Sequence, residues 1–263
     1  MSIDSIPIWV LFLVTFIIVV ASIDAGYRIG GAIHKESDKE KESPVSGISG
    51  SVLGLLVFIL VFTFNIVSER YDAKRGLVRE EAGAIRTAWF RSDFLPEPDR
   101  SKTLRLIKEY VDLRADAVQS QISNRVEEAI DKSAKIQREL FDIAVVNARK
   151  DMNSDVAALY IESLNEVINV HFMRVSIGWQ ARIPNGIWIV LFILVVLSMF
   201  AVGYQTAITD SSRSWSTLIL AISFSMVIAL IASLDVPQGG FITVPQQPMI
   251  DLRDFINAEM AKK

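Results

Sequence analysis

No cysteine occurs in the 263 residues, and histidine occurs only twice, as His34 and His171. The first absence excludes disulfides, thiolate metal sites and cysteine nucleophiles. The second excludes a histidine-rich metal site, because the two imidazoles are far apart in sequence. Excess charge of either sign is also missing. Lys and Arg number 27 against 30 Asp and Glu, a net charge of −3. That balance gives no general attraction to nucleic acid or to anionic lipid, so no nucleic-acid partner is expected. No phosphate-binding glycine loop, GxSxG elbow or HExxH motif is present. The chain therefore reads as a non-enzyme with no cofactor and no metal site.

The most telling absence is of charge in the middle of four long apolar stretches, Ile6–Ala25, Gly47–Val67, Gly186–Tyr204 and Trp215–Leu234. Each approaches the ~20 residues that a helix needs to cross the hydrocarbon core. An Arg or Asp at mid-bilayer costs at least ~2.5–3.5 kcal/mol on insertion scales, and none of the four carries one there. With 51% of residues hydrophobic and 22% charged, greasy and wet parts are segregated along the chain. The pattern predicts an all-α integral membrane protein with four transmembrane helices. Met1–Pro7 contains no Lys or Arg, so the first stretch reads as a retained span rather than a secretory signal.

Four regions follow. Residues 1–67 hold the first two spans and a polar, solvated loop at 34–46. Residues 68–183 form a helical insert, residues 184–235 hold spans three and four, and residues 236–263 form a tail. Arg70, Lys74, Arg75 and Arg79 flank span two, and Arg174 and Arg182 precede span three. The positive-inside bias then places the insert and both termini in the cytoplasm, although Arg28, Lys35, Lys39 and Lys41 lie in the first loop. The second span is expected to run on as one long helix to Phe94, broken by Leu95-Pro96-Glu97-Pro98-Asp99. A second insert helix carries Leu104, Ile107 and Val111. A third carries Ile136, Leu140 and Ile143 and continues through Val156, Leu159 and Leu164. In the tail, Pro237-Gln238-Gly239-Gly240 reads as a turn and Phe241–Val244 as a short extended piece. A final amphipathic helix uses Ile250, Leu252, Phe255, Ile256 and Met260.

Charged groups in the insert are read conservatively. Arg79-Glu80-Glu81 is taken as a solvated helix face, since charge runs usually are. Glu162, Glu166 and His171 offer too few ligands on one face for a metal site, and the pair Asp151 and Asp155 is discounted likewise. Proton-coupled carriers need intramembrane Asp, Glu or His. The spans offer only hydroxyls and one amide, which disfavours carrier chemistry.

Span two is the informative one. At about 100° per residue, Gly47, Gly50, Ser51, Gly54, Phe58, Phe62 and Asn65 share one face, with Leu55 beside it. Val52, Leu56, Ile59 and Leu60 share the other and are taken to meet lipid. Two readings of the glycine face stand. Close helix packing through Gly50 and Gly54 is the commoner meaning of such small-residue pairs. A water-accessible path with an aromatic constriction is the sharper one.

Beyond this face the chain resembles the bestrophin-like family. The resemblance rests on Ser51-Val52-Leu53-Gly54, Phe62-Thr63-Phe64, Glu69-Arg70-Tyr71-Asp72-Ala73-Lys74-Arg75, Glu80-Glu81-Ala82 through Leu95-Pro96, and Gly240–Val244 with Gln246 and Gln247. It covers nearly the full length. It implies an oligomeric ion channel, a pentamer in the lipid of a bacterial inner membrane, conducting inorganic ions. It also implies a pore lined by span two, through Gly47, Ser51, Gly54, Leu55, Phe58, Phe62 and Asn65. Bestrophins carry bulky apolar groups early in this span, where this chain has Gly47, Ser51 and Leu55. Their acidic calcium clasp has no counterpart here beyond Asp251, Asp254 and Glu259. The alternative function is a non-conducting scaffold or sensor whose insert binds a partner protein.

Overall fold

A computed structural model describes residues 7–36, 42–119, 123–180, 182–209, 215–236 and 242–262. The described residues form eight α-helices and no strand: α1 (Ile8–Glu36), α2 (Glu42–Arg91), α3 (Asp99–Gln119), α4 (Ser123–Ala148), α5 (Asp155–Val175), α6 (Asn185–Ile208), α7 (Trp215–Asp235) and α8 (Gln247–Met260). Four of them, α1, α2, α6 and α7, are long and apolar enough to cross a membrane. The all-α, four-span class read from the apolar stretches is the class observed.

The chain divides into two compact units, one of Met1–Glu69 with Arg182–Ile242 and one of Arg70–Ala181 with Thr243–Lys263. In the first, α1 packs on α6 and α7. Backbones meet there without side chains between them. A Cβ on Gly26 would lie 2.1 Å from the Phe200 carbonyl oxygen, and one on Gly203 would lie 2.1 Å from that of Ile23. Such approach is how helices gain dispersion contact where lipid removes the hydrophobic drive between them. Polar links add to it. The Ser49 hydroxyl of α2 donates to the Ala201 carbonyl at 3.1 Å, and the Ser198 hydroxyl of α6 donates to that of Val52 at 3.2 Å. Asp235, buried at the end of α7, accepts the Ile183 backbone N–H at 3.0 Å. This carboxylate fixes the chain just ahead of α6.

The second unit holds α3, α4, α5, α8 and the later part of α2. Its core gathers Ile85, Trp89, Ile107, Tyr110, Leu164 and Met249. Helix α3 packs on α4 and α8, and α4 on α5. The amphipathic tail helix is observed as α8, which buries Met249, Leu252 and Ile256.

Three boundaries depart from the expected ones. Both ends of the expected polar loop at 34–46 are helical, since α1 continues to Glu36 and α2 begins at Glu42. Lys35 and Glu36 are good helix formers, and Pro44 is tolerated because it stands in the first turn of α2. The long helix from span two ends at Arg91 in a 3-10 turn, Ser92–Phe94. The expected third insert helix is two helices. Ser154 caps the second by accepting the Ala157 N–H at 3.2 Å, and the Asn153 N–H bonds Asp151 Oδ1 at 3.1 Å. The expected turn at 237–240 and Phe241 lie outside the described residues, and Thr243–Gln246 has no regular secondary structure.

Candidate functional site

Helix α2 has two faces of opposite character. Ser49, Leu56, Leu60, Thr63 and Val67 are buried, at spacings of seven, four, three and four that mark one side of a helix. Leu56 is therefore not the lipid-facing residue that the sequence suggested; it is fully buried inside its own chain. On the other side Gly47, Ser51, Gly54, Leu55, Phe58, Phe62 and Asn65 are all exposed, Phe58 at 66% and Phe62 at 57%. A methyl group built on Gly47, Gly50 or Gly54 would meet no neighbouring side chain or helix within 4 Å. Within a single chain, then, the close-packing glycines are Gly26, Gly30 and Gly203, not Gly50 and Gly54. The Gly26-Tyr27-Arg28-Ile29-Gly30 spacing begins one residue beyond Ala25, where the first apolar stretch ends.

The polar groups of the exposed stripe are spoken for. The Ser51 hydroxyl donates to the Gly47 carbonyl at 2.8 Å, which leaves its oxygen lone pairs outward. The Asn65 amide donates to Glu69 Oε1 at 2.8 Å, one turn on. The stripe thus runs from small residues through two rings to an amide held on a carboxylate.

Further along α2 lies a site that sequence reasoning missed. Glu81, expected on a solvated face, is fully buried, while Arg79 and Glu80 beside it are exposed. Successive side chains on a helix diverge by about 100°, so one of three adjacent charges can turn inward. Arg114 of α3 grips Glu81 through Nε and Nη2, at 3.1 and 3.3 Å. Arg174 of α5 binds its second oxygen and also donates to Gln246 of the tail. The Tyr110 hydroxyl donates to Glu81 Oε1 at 2.8 Å and accepts from Gln137 of α4 at 3.1 Å. His171 Nδ1 stands 3.1 Å from the same hydroxyl. With the phenol proton committed to Glu81, that contact requires a proton on Nδ1.

Burial opposes charge on Glu81, but Arg114 and Arg174 outweigh it and hold its carboxyl well below the usual carboxylate range. Burial, reinforced by Glu81, pushes the Tyr110 phenol well above its ordinary value. The cluster stays ionised as one carboxylate between two guanidiniums, tying α2 to α3, α5 and the tail, with α4 joined through Tyr110. Glu162 and Glu166 take no part in it. Glu162 instead meets Arg91 at 3.2 Å, and Glu166 is exposed. No group of three His, Asp or Glu able to hold a metal occurs among the described residues.

A second surface feature lies on the same unit. Arg86 sits 4.8 Å above the Phe255 ring and 5.8 Å from that of Phe90. A groove of about 260 Å³ opens there, lined by Ala82, Gly83, Arg86, Asp251 and Phe255.

Comparison with known proteins adds four findings. A family model described as a bestrophin-like domain matches residues 9–249. A solved structure of a bacterial bestrophin homologue from Klebsiella pneumoniae, a point variant, superposes with a TM-score of 0.66 at 13% identity, over 97% of this chain and 99% of that one. A second structure of that homologue gives 0.64 at 14% identity, with the same coverage. No curated protein matches the sequence significantly.

Proposed function

Since the chain belongs to the bestrophin-like family, we propose that it is an oligomeric ion channel whose pore is lined by one face of α2. The observation that carries the reading is the division of that helix. Leu56, Leu60, Thr63 and Val67 are buried in their own chain, whereas Ser51, Gly54, Leu55, Phe58, Phe62 and Asn65 are exposed. A face of glycines, a serine and an amide gains little from lipid, and copies gathered around an axis would give it a common lumen. The rings of Phe58 and Phe62 would then form an apolar constriction that gates by wetting. The assembly expected from the bestrophin resemblance is a pentamer in a bacterial inner membrane. Exposed apolar residues such as Ile189 and Ile193 of α6 would meet lipid, and the insert and both termini would be cytoplasmic.

Ion flux from liposomes holding equal amounts of folded variants tests the proposal. Phe62→Ala and Leu55→Ser should raise flux above wild type, because each lowers the apolar barrier. Ile193→Ala should leave it unchanged. If wild type and both opening variants are silent while assembly is intact, the stripe is a packing surface only. The scaffold or sensor function then takes its place.

A further inference from the structure

Resting on that pore reading, we infer that Glu69 is its selectivity residue and that the ions it passes are cations. Between Pro44 and Glu69 the chain contains no charged residue except Glu69 itself. Its position on the helix is what matters. Eleven residues separate it from Phe58 and seven from Phe62, so at 100° per residue it lies about 20° from each around the axis. It is therefore on the stripe, about 10 Å beyond the Phe62 ring at 1.5 Å per residue. Glu69 and Asn65 are both exposed, and the Asn65 amide holds Glu69 Oε1 at 2.8 Å. The amide is itself a stripe residue, so the bond keeps the carboxylate on that side.

The next charge, Arg70, is turned about 100° away and is only partly exposed. It has an interaction of its own. Each copy thus presents an acid to the axis and turns the adjacent base elsewhere. Repeated by symmetry, one carboxylate per subunit makes a ring of negative potential just past the apolar constriction. Carboxylate rings select cations by concentrating them and repelling anions. The exposed rings upstream carry no charge to oppose this.

The experiment is a reversal-potential measurement on the reconstituted full-length protein in a KCl gradient, for wild type, Glu69→Gln and Glu69→Asp. Wild type and Glu69→Asp should favour potassium. Glu69→Gln keeps an acceptor for Asn65 and should lower the potassium-to-chloride permeability ratio several-fold without lowering single-channel open time. A wild-type current that favours chloride, or a ratio unmoved by Glu69→Gln, overturns the role of Glu69 and leaves the pore standing, since current flows. Absence of current in every variant, with native mass spectra unchanged, removes the pore and the selectivity residue together.

Discussion

At the scale of residues, Glu81 shows how little a charge run says about any one of its members. Arg79 and Glu80 are exposed, so neutralising either should change stability by no more than ~0.5 kcal/mol. Glu81→Gln leaves two buried guanidiniums without their carboxylate, and breaking such a pair costs about 3–5 kcal/mol. Chemical denaturation in detergent, followed by the near-ultraviolet signal, should show that gap between neighbours. The pH dependence has a definite sign. The folded carboxyl is held well below its usual range by Arg114 and Arg174, so the unfolded chain takes up its proton first on acidification. Its contribution is complete above the usual carboxylate range and is lost as pH falls through the depressed folded value. Wild type should therefore lose stability in strong acid more steeply than Glu81→Gln.

Two other positions separate a buried from an exposed face. Leu56→Ala should destabilise by about 2–5 kcal/mol, the range for truncating a buried leucine, whereas Phe58→Ala should not. Gly203→Leu should cost about 1–3 kcal/mol or more through overpacking against the Ile23 backbone. Thermal aggregation profiles of the solubilised variants would rank all three.

Among elements, the breaks were harder to read than the helices. Apolar spacing marks the insert as helical on both sides of Asp151-Met152-Asn153-Ser154, but it runs α4 and α5 together as one helix. The signal was there. Asp and Asn favour local turns, and Ser154 followed by Asp155 marks a helix start. Ser154→Ala should cost about 1 kcal/mol, the usual loss at an N-cap, measurable as a lower denaturant midpoint with an unchanged slope. The Glu81 cluster was less legible because its partners come from α3, α4, α5 and the tail. One hint stood in the sequence. Glu81 precedes Ile85 by four and Ala88 by seven, and both of those are buried. The exposed stripe of α2 was legible as a face, while its exposure was not, since periodicity separates two sides of a helix without saying which one the chain itself covers.

For the whole molecule, the proposed topology and assembly make one linked prediction. Single cysteines placed at Ser43 and Met152, on the natural cysteine-free background, should react differently with an impermeant maleimide in intact cells. Ser43→Cys should label from outside and Met152→Cys only after permeabilisation. Native mass spectrometry of the same variants should show a five-fold species. External labelling of Met152→Cys would reverse the orientation, and a monomer in mild detergent would remove the central axis.

The contact of Gly26 with Phe200 and of Gly203 with Ile23 has a further consequence, in time rather than in space. The glycines are 177 positions apart, so at roughly 5–20 residues per second a ribosome needs about 9–35 s to supply the second after the first. Throughout that interval α1 sits in the bilayer with Gly26 and Gly30 bare. A bare pair of this kind is itself a helix-association surface, open to another nascent α1 or to a resident insertase. Chains halted before α6 should cross-link to such neighbours through an introduced photoreactive residue at Tyr27, and chains extended past Gly203 should not.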